Sequence, residues 1–250
     1  MTTHTEAAVT AAFRDADSVL RGPLPTEVSM APVTSGAPFA IEDVIADTGH
    51  EFFAVWACDA GVYPRVKDKR GSFMYLLDGA GQIVDADGTT HELAGHSILI
   101  LPFGWSGHWN ITRTVRKVYV HTTPAPPFRA GVQPSRFASA ADLDAGDRVV
   151  FDGPDGLCTV QTTAPGVHEE VSSGRARFSY VIAGEASVTG VGGSVGGTGV
   201  SGTGASGVSQ ELTAGSAITI PRGWSGAWHV RTALRTFDVF SSAPHGTTHE

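Results

Sequence analysis

The sequence predicts an all-β protein made of two copies of one strand-rich unit, and three observations carry that reading. Glycine fills 31 of 250 positions, well above its usual share of about 7%, and a chain that turns so often favours many short strands over long helices. Residues 102–109 read PFGWSGHW and residues 221–228 read PRGWSGAW, six identities in eight positions at an offset of 119. Apolar residues also alternate on both sides of each Pro-x-Gly. GHSILIL and GSAITI lie before the prolines, NITRTVRKVYV and HVRTALRTFDV after them. Period-two patterning around a tight turn means strand, turn, strand.

Taken in order, residues 1–38 form an N-terminal extension, of which residues 1–20 are compatible with a short amphipathic helix. The first unit spans 39–122. In it FMYLLDG (73–79) is a strand ending at a glycine turn, matched by FSYVIAG (178–184) in the second unit, 147–242. The intervening 123–146 carries four prolines and reads as a linker with one helical turn, and 243–250 is a tail. Residues 189–209 are almost entirely Gly, Ser, Thr and Val with nine glycines. They lengthen a hairpin loop of the second unit, either as a surface expansion or as a lid.

Composition excludes several classes. Seventeen basic against 25 acidic residues give a net charge of −8, which argues against binding nucleic acid through displaced counterions. The longest apolar stretch, Ile98 to Phe103, is too short to span a bilayer. Two cysteines, Cys58 and Cys158, allow at most one disulfide and no disulfide framework. MTTHTEAAVTAAFRDADSVL has no basic start and no apolar run of signal-peptide length, so the expected compartment is the cytoplasm.

Trp56, Gly61, Gly79, Gly95, Pro102, Gly104, Gly107, Trp109 and the VRKVY stretch at 115–119 resemble the cupins of the ureidoglycine aminohydrolase type. The second copy repeats the pattern at Gly166, Gly184, Gly215, Pro221, Gly223, Gly226 and Trp228. The resemblance implies a bicupin, two tandem jelly-roll barrels each with a central cavity for a small ligand, and by analogy a homodimer. It also implies a divalent metal, manganese in the enzyme that names the family, held by a His-x-His, a Glu and a later His. Carried over position by position, those ligands fall on Lys67, Lys69, Ser72 and Gly107 in the first copy. In the second they fall on Ser172, Gly174, Arg177 and Gly226. No metal is therefore expected. His168 and Glu170, two apart on one strand face, are the alternative in a shifted frame, and His50, His91, His96, His108, His121 and His229 show no ligand-like grouping.

What stands in place of the ligands is cationic. The chain has three lysines, Lys67, Lys69 and Lys117, all in the first copy. Tyr63, Arg65, Lys67 and Lys69 share strand parity and can line one face. Lys117 matches a lysine typical of the family's VRK stretch. Facing inward with Trp109 as an apolar wall, and with Ser72 nearby, these residues would bind a small carboxylate or other anion. A lysine desolvated among cations loses basicity and can act as a base or Schiff-base nucleophile, a role assigned to Lys67 and Lys117. The competing reading makes RVKDKRG (65–71) a charged, solvated hairpin tip. In the second copy His168, Glu170, Arg177, Tyr180 and Trp228 are interior candidates with structural roles. Trp105 and Trp224 are expected at the barrel mouth or between the barrels. Three functions follow: a metal-free binder of a small anionic metabolite, with or without turnover; a metal-dependent hydrolase or lyase on a small nitrogenous substrate; or an accessory bicupin without catalysis.

Overall fold

The computed structural model describes residues 11–124, 131–172, 174–190, 196–197 and 209–242. The Gly-rich stretch 189–209, with its surface or lid reading, falls largely outside them, as do residues 1–10. The first arm forms β1 (Ala12–Arg14) and α1 (Ala16–Arg21). The first barrel contains β2 (Thr26–Val28), β3 (Ser35–Gly36), β4 (Ala40–Asp47), β5 (Glu51–Cys58), β6 (Gly61–Val66), β7 (Gly71–Asp85), β8 (Thr90–Ala94), β9 (Ile98–Leu101) and β10 (Ser106–Thr122). The linker forms β11 (Arg136–Ala138) and α2 (Ala140–Asp144). The second barrel contains β12 (Arg148–Gly153), β13 (Gly156–Thr163), β14 (Gly166–Val171), β15 (Arg177–Gly190), β16 (Gly196–Gly197), β17 (Ser209–Thr213), β18 (Ala217–Ile220) and β19 (Ser225–Ser241). None of these helices is long and apolar enough to cross a membrane.

Each barrel is organised by two long antiparallel strands, β7 with β10 and β15 with β19. The β7–β10 register slips between Ile111 and Lys117, and such bulges bend a strand from one wall of a barrel into the next. Beyond the slip, β10 pairs with β5 on one side; before it, with β6. Gly79 sits at this corner with φ +120, and a Cβ there would lie 2.7 Å from the Val115 side chain. Gly184 (φ +94) marks the same corner of the second barrel.

Three apolar clusters follow from strands that are buried on both faces. One parity of the central strands fills the first barrel (Met74, Leu76, Leu99, Leu101, Trp109). The equivalent parity fills the second (Val181, Ile218, Ile220, Trp228, Val230). The opposite parity joins the two barrels back to back: Phe53, Phe73, Tyr75, Val118 and Val120 meet Phe178, Tyr180, Phe237 and Val239. The Phe53 and Phe178 rings lie 3.8 Å apart and the Tyr75 and Tyr180 rings 4.8 Å. Tyr180 therefore faces the other barrel rather than its own interior, correcting its place among the interior candidates. Cys58 and Cys158 are both free and buried.

The arms cross between barrels. β1, from the N-terminal extension, pairs with β18 of the second barrel, while β11, from the linker, pairs with β9 of the first. The sequences AFRDADSVLRG (12–22) and RFASAADLDAG (136–146) align. Asp15 and Ser139 cap their helices by accepting from the backbone N–H of Ser18 and Asp142, and Val19 and Leu143 are the buried residues of α1 and α2. Arg116 donates to the carbonyls of Val19 and Gly22, and Arg235 to those of Leu143 and Gly146. These contacts close the C-terminal ends of both helices. The repeat thus reaches further upstream than the Pro-x-Gly pattern indicates. The expected helix of residues 1–20 is, within the described residues, a strand followed by this short helix.

Candidate functional site

The first barrel holds an open cavity of about 510 Å³ whose wall includes Tyr63, Arg65, Lys67, Trp109 and Lys117, five of the seven residues singled out from the sequence. β6 delivers the first two. Alternation along Gly61–Val66 turns Tyr63 and Arg65 inward, and pairing with β10 sets Tyr63 opposite Trp109. Their rings stack at 6.3 Å, with the Arg65 guanidinium 4.5 Å above Tyr63. Lys67 follows the strand. Its backbone N–H donates to the carbonyl of Trp105 and its carbonyl accepts from Gly104, so the Pro-x-Gly turn pins it at the rim.

Two of the seven lie elsewhere. Lys69 is exposed on the bend after β6, where the parity argument lapses because the strand has ended. Lys69 is thus exposed at the tip, whereas Lys67 is half-buried and lines the cavity. Ser72 is buried and pairs with His121 across β7–β10, yet it does not reach the cavity wall. Its hydroxyl has no partner among the described residues.

Lys117 is buried in the wall of the site. Only 7% exposed, its Nζ sits 4.1 Å from the Trp56 ring centre, 4.4 Å from Trp109, 5.3 Å from Tyr119 and 3.1 Å from Met74 Sδ. Burial, then the charge of Lys67, pushes this amine well below the ordinary lysine range. Burial and Arg65 lower Lys67 from 10.5 to about 8. His121 Nε2 lies 3.4 Å from Lys67 Nζ, and burial followed by the Lys67 charge keeps its imidazole neutral, well below its usual range. The cavity's carboxylate is Glu42, which accepts a 2.6 Å hydrogen bond from the Tyr119 hydroxyl. No Asp or Glu pairs with Arg65, Lys67 or Lys117 within 4.0 Å among the described residues.

Glu42, Trp56, Tyr119 and His121 were not assigned to the site from the sequence. For Tyr119 and His121 the signal was present: they share the parity of Lys117 on β10, the same rule that grouped residues 63–67. Glu42 lies on β4, where nothing in the sequence marks it.

The second barrel holds a cavity of about 370 Å³ of different chemistry. Pairing makes Thr236 the counterpart of Lys117, Asp238 of Tyr119, Ser179 of Met74, Gln161 of Trp56 and Glu170 of Arg65. Asp238 is buried and accepts from the hydroxyls of Ser179 and Thr236. Glu170 accepts from Arg177 and from Trp228 Nε1, both at 2.8 Å, and Arg177 lies over the Trp228 ring. His168 Nε2 is 2.8 Å from the Ala164 carbonyl. His168 and Glu170 are thus each engaged by other groups, which does not favour the shifted-frame metal site.

A divalent cation fits the first barrel poorly. Among the described residues, no three His, Cys, Asp or Glu side chains converge in either barrel. Glu42 and His121 share their cavity with the Arg65 guanidinium and the Lys67 ammonium, and such cations repel a metal ion placed beside them. The position where the family resemblance expects the last histidine is also closed. A Cβ on Gly107 would lie 2.6 Å from the Trp105 ring, and one on Gly226 would meet Trp224. Both tryptophans are buried in their own barrels, and Trp105 Nε1 donates to Asp85 at 2.8 Å. Neither belongs to the core shared by the barrels, which corrects the expectation that they pack between them.

Two jelly rolls in tandem, joined back to back around a shared apolar core, define a double-barrel cupin fold. The comparisons with known proteins agree. Residues 46–119 match the EutQ-like cupin domain. The chain is similar in fold to a putative glyoxylate-induced protein from Pseudomonas aeruginosa (10% identity, 100% of this chain and 96% of that one, TM-score 0.63). It is likewise similar to protein Ylba from E. coli (11%, 94% and 94%, 0.62) and to a salicylate 1,2-dioxygenase from Pseudaminobacter salicylatoxidans (12%, 96% and 86%, 0.63). No curated protein matches the chain.

Proposed function

We propose that the first barrel binds a small anionic metabolite, a carboxylate, without a metal, and that its lysines assist any chemistry done there. The observation that carries this reading is charge balance in one cavity. Arg65 and Lys67 face a cavity with Glu42 as its carboxylate, and Glu42 is engaged by Tyr119. A carboxylate ligand would supply the missing counter-charge through charge-assisted hydrogen bonds, with Tyr63, Trp56 and Trp109 covering its apolar part. Arg65 and Lys67 near the rim suit the carboxylate, and buried Lys117 suits the other end. The metal-dependent hydrolase reading is not favoured, because the Trp105 ring blocks the position that would carry the last ligand.

The test is thermal stabilisation of the full chain by acetate, oxalate and glyoxylate, with acetamide as a neutral control. The carboxylates are expected to raise Tm and acetamide to leave it unchanged, and the shift is expected to vanish in Arg65→Met/Lys67→Met. Stabilisation that persists in that double variant, or that no carboxylate produces, would overturn the reading.

A further inference from the structure

We infer that the first barrel takes a small oxo acid, an aldehyde- or keto-carboxylate, and that Lys117 captures its carbonyl carbon as an imine. This deepens the anion-binding reading and rests on it.

A lysine that attacks a carbonyl must present a desolvated amine to an accessible space, with no carboxylate holding it as an ammonium. Lys117 meets those conditions by geometry: it lines the cavity, it is buried, and its Nζ is surrounded by three aromatic rings and a thioether. Ring faces do attract an ammonium, but that attraction is small beside the cost of taking the ion out of water. The direction of its basicity, well below the lysine range, agrees with desolvation winning.

The second barrel shows that the fold does not require this arrangement. There threonine replaces Lys117, and glutamine, serine and aspartate replace Trp56, Met74 and Tyr119, while Trp228 keeps the place of Trp109. The lysine and most of its box come and go together, as a functional unit does and as independent packing residues need not.

The step balances without a co-reactant. The Nζ lone pair bonds to the carbonyl carbon, the carbonyl oxygen takes a proton, and the resulting hydroxyl leaves as water while the nitrogen gives up its protons. Oxidation states do not change. The protons that the nitrogen releases are those that the departing oxygen takes up.

The experiment incubates the full chain with glyoxylate or pyruvate and sodium cyanoborohydride near neutral pH, followed by peptide mapping by mass spectrometry. Reduced adduct is expected at Lys117, ahead of exposed Lys69 by about tenfold for each unit by which its basicity is lower. It is expected to be lost in Lys117→Arg, and the map of the unaltered chain decides the matter if that variant fails to fold. Labelling confined to Lys69, Lys67 or the N-terminus, with acetate still stabilising the protein, would overturn the imine and leave the anion site standing. Absence of both labelling and carboxylate stabilisation would overturn both readings.

Discussion

At the residue scale, the site is defined by what its lysines lack. Burial with no carboxylate partner costs stability while the amine carries its proton, and the sign follows for Lys67. Its folded-state value, about 8, lies below the 10.5 of an ordinary lysine. Below pH 8 both states hold the proton and the penalty is fully present. Between about 8 and 10.5 the folded state releases the proton while the unfolded state keeps it, so stability rises with pH. Lys67→Met is therefore expected to be more stable than the natural chain at pH 7, with the difference shrinking toward pH 10, as read by chemical denaturation at each pH. A difference that stays constant with pH would mean that Lys67 is solvated. The sequence made these lysines visible because there are three and they cluster in one copy. It could not separate Lys67 from Lys69, because strand parity carries no information past the residue where β6 stops.

At the element scale, the turns decide where side chains can go. Aligned at the offset of 119, Gly215 corresponds to His96 rather than to Gly95. Both residues have left-handed backbones, φ +97 and φ +62. His96 holds that conformation as its N–H donates to the Leu76 carbonyl and its ring lies 3.4 Å from the Tyr75 hydroxyl. Glycine enters this region freely, whereas a Cβ makes it costly. His96→Gly should therefore be more stable than His96→Ala by about 1 kcal/mol, measured by urea unfolding; equal stabilities would show that the turn is not left-handed. The Pro-x-Gly repeat, the strand alternation and the helical turn of the linker were all legible. The crossing of β1 and β11 was not, because a three-residue strand leaves no periodicity and its partner lies in the other copy. The Asp15 and Ser139 caps and the Phe13/Phe137 match were the available signal.

At the scale of the whole molecule, the duplication supplies a frame and divergence supplies chemistry. Back-to-back packing uses the outward face of each central strand, so the barrels share one core through Phe53, Phe178 and their neighbours. Each arm then ties its strand to one barrel and its helix cap to the other. Within that near-symmetric scaffold, one cavity carries Arg65, Lys67 and Lys117, while the other carries Glu170 and Asp238 around Arg177. Fold was readable in the sequence because it is written twice. The site was readable only in part, because the residues that set the two cavities apart are those the repeat does not preserve.

With only three lysines in the chain, one spectrum addresses the central claim. Protein labelled with ¹³C-lysine gives separate side-chain signals for Lys67, Lys69 and Lys117, assigned by single substitutions, and each can be followed against pH and added acetate. The account predicts that exposed Lys69 ignores acetate, while Lys67 and Lys117 titrate below the ordinary lysine range and shift together as acetate binds. Three signals that titrate alike and do not respond to acetate would contradict it.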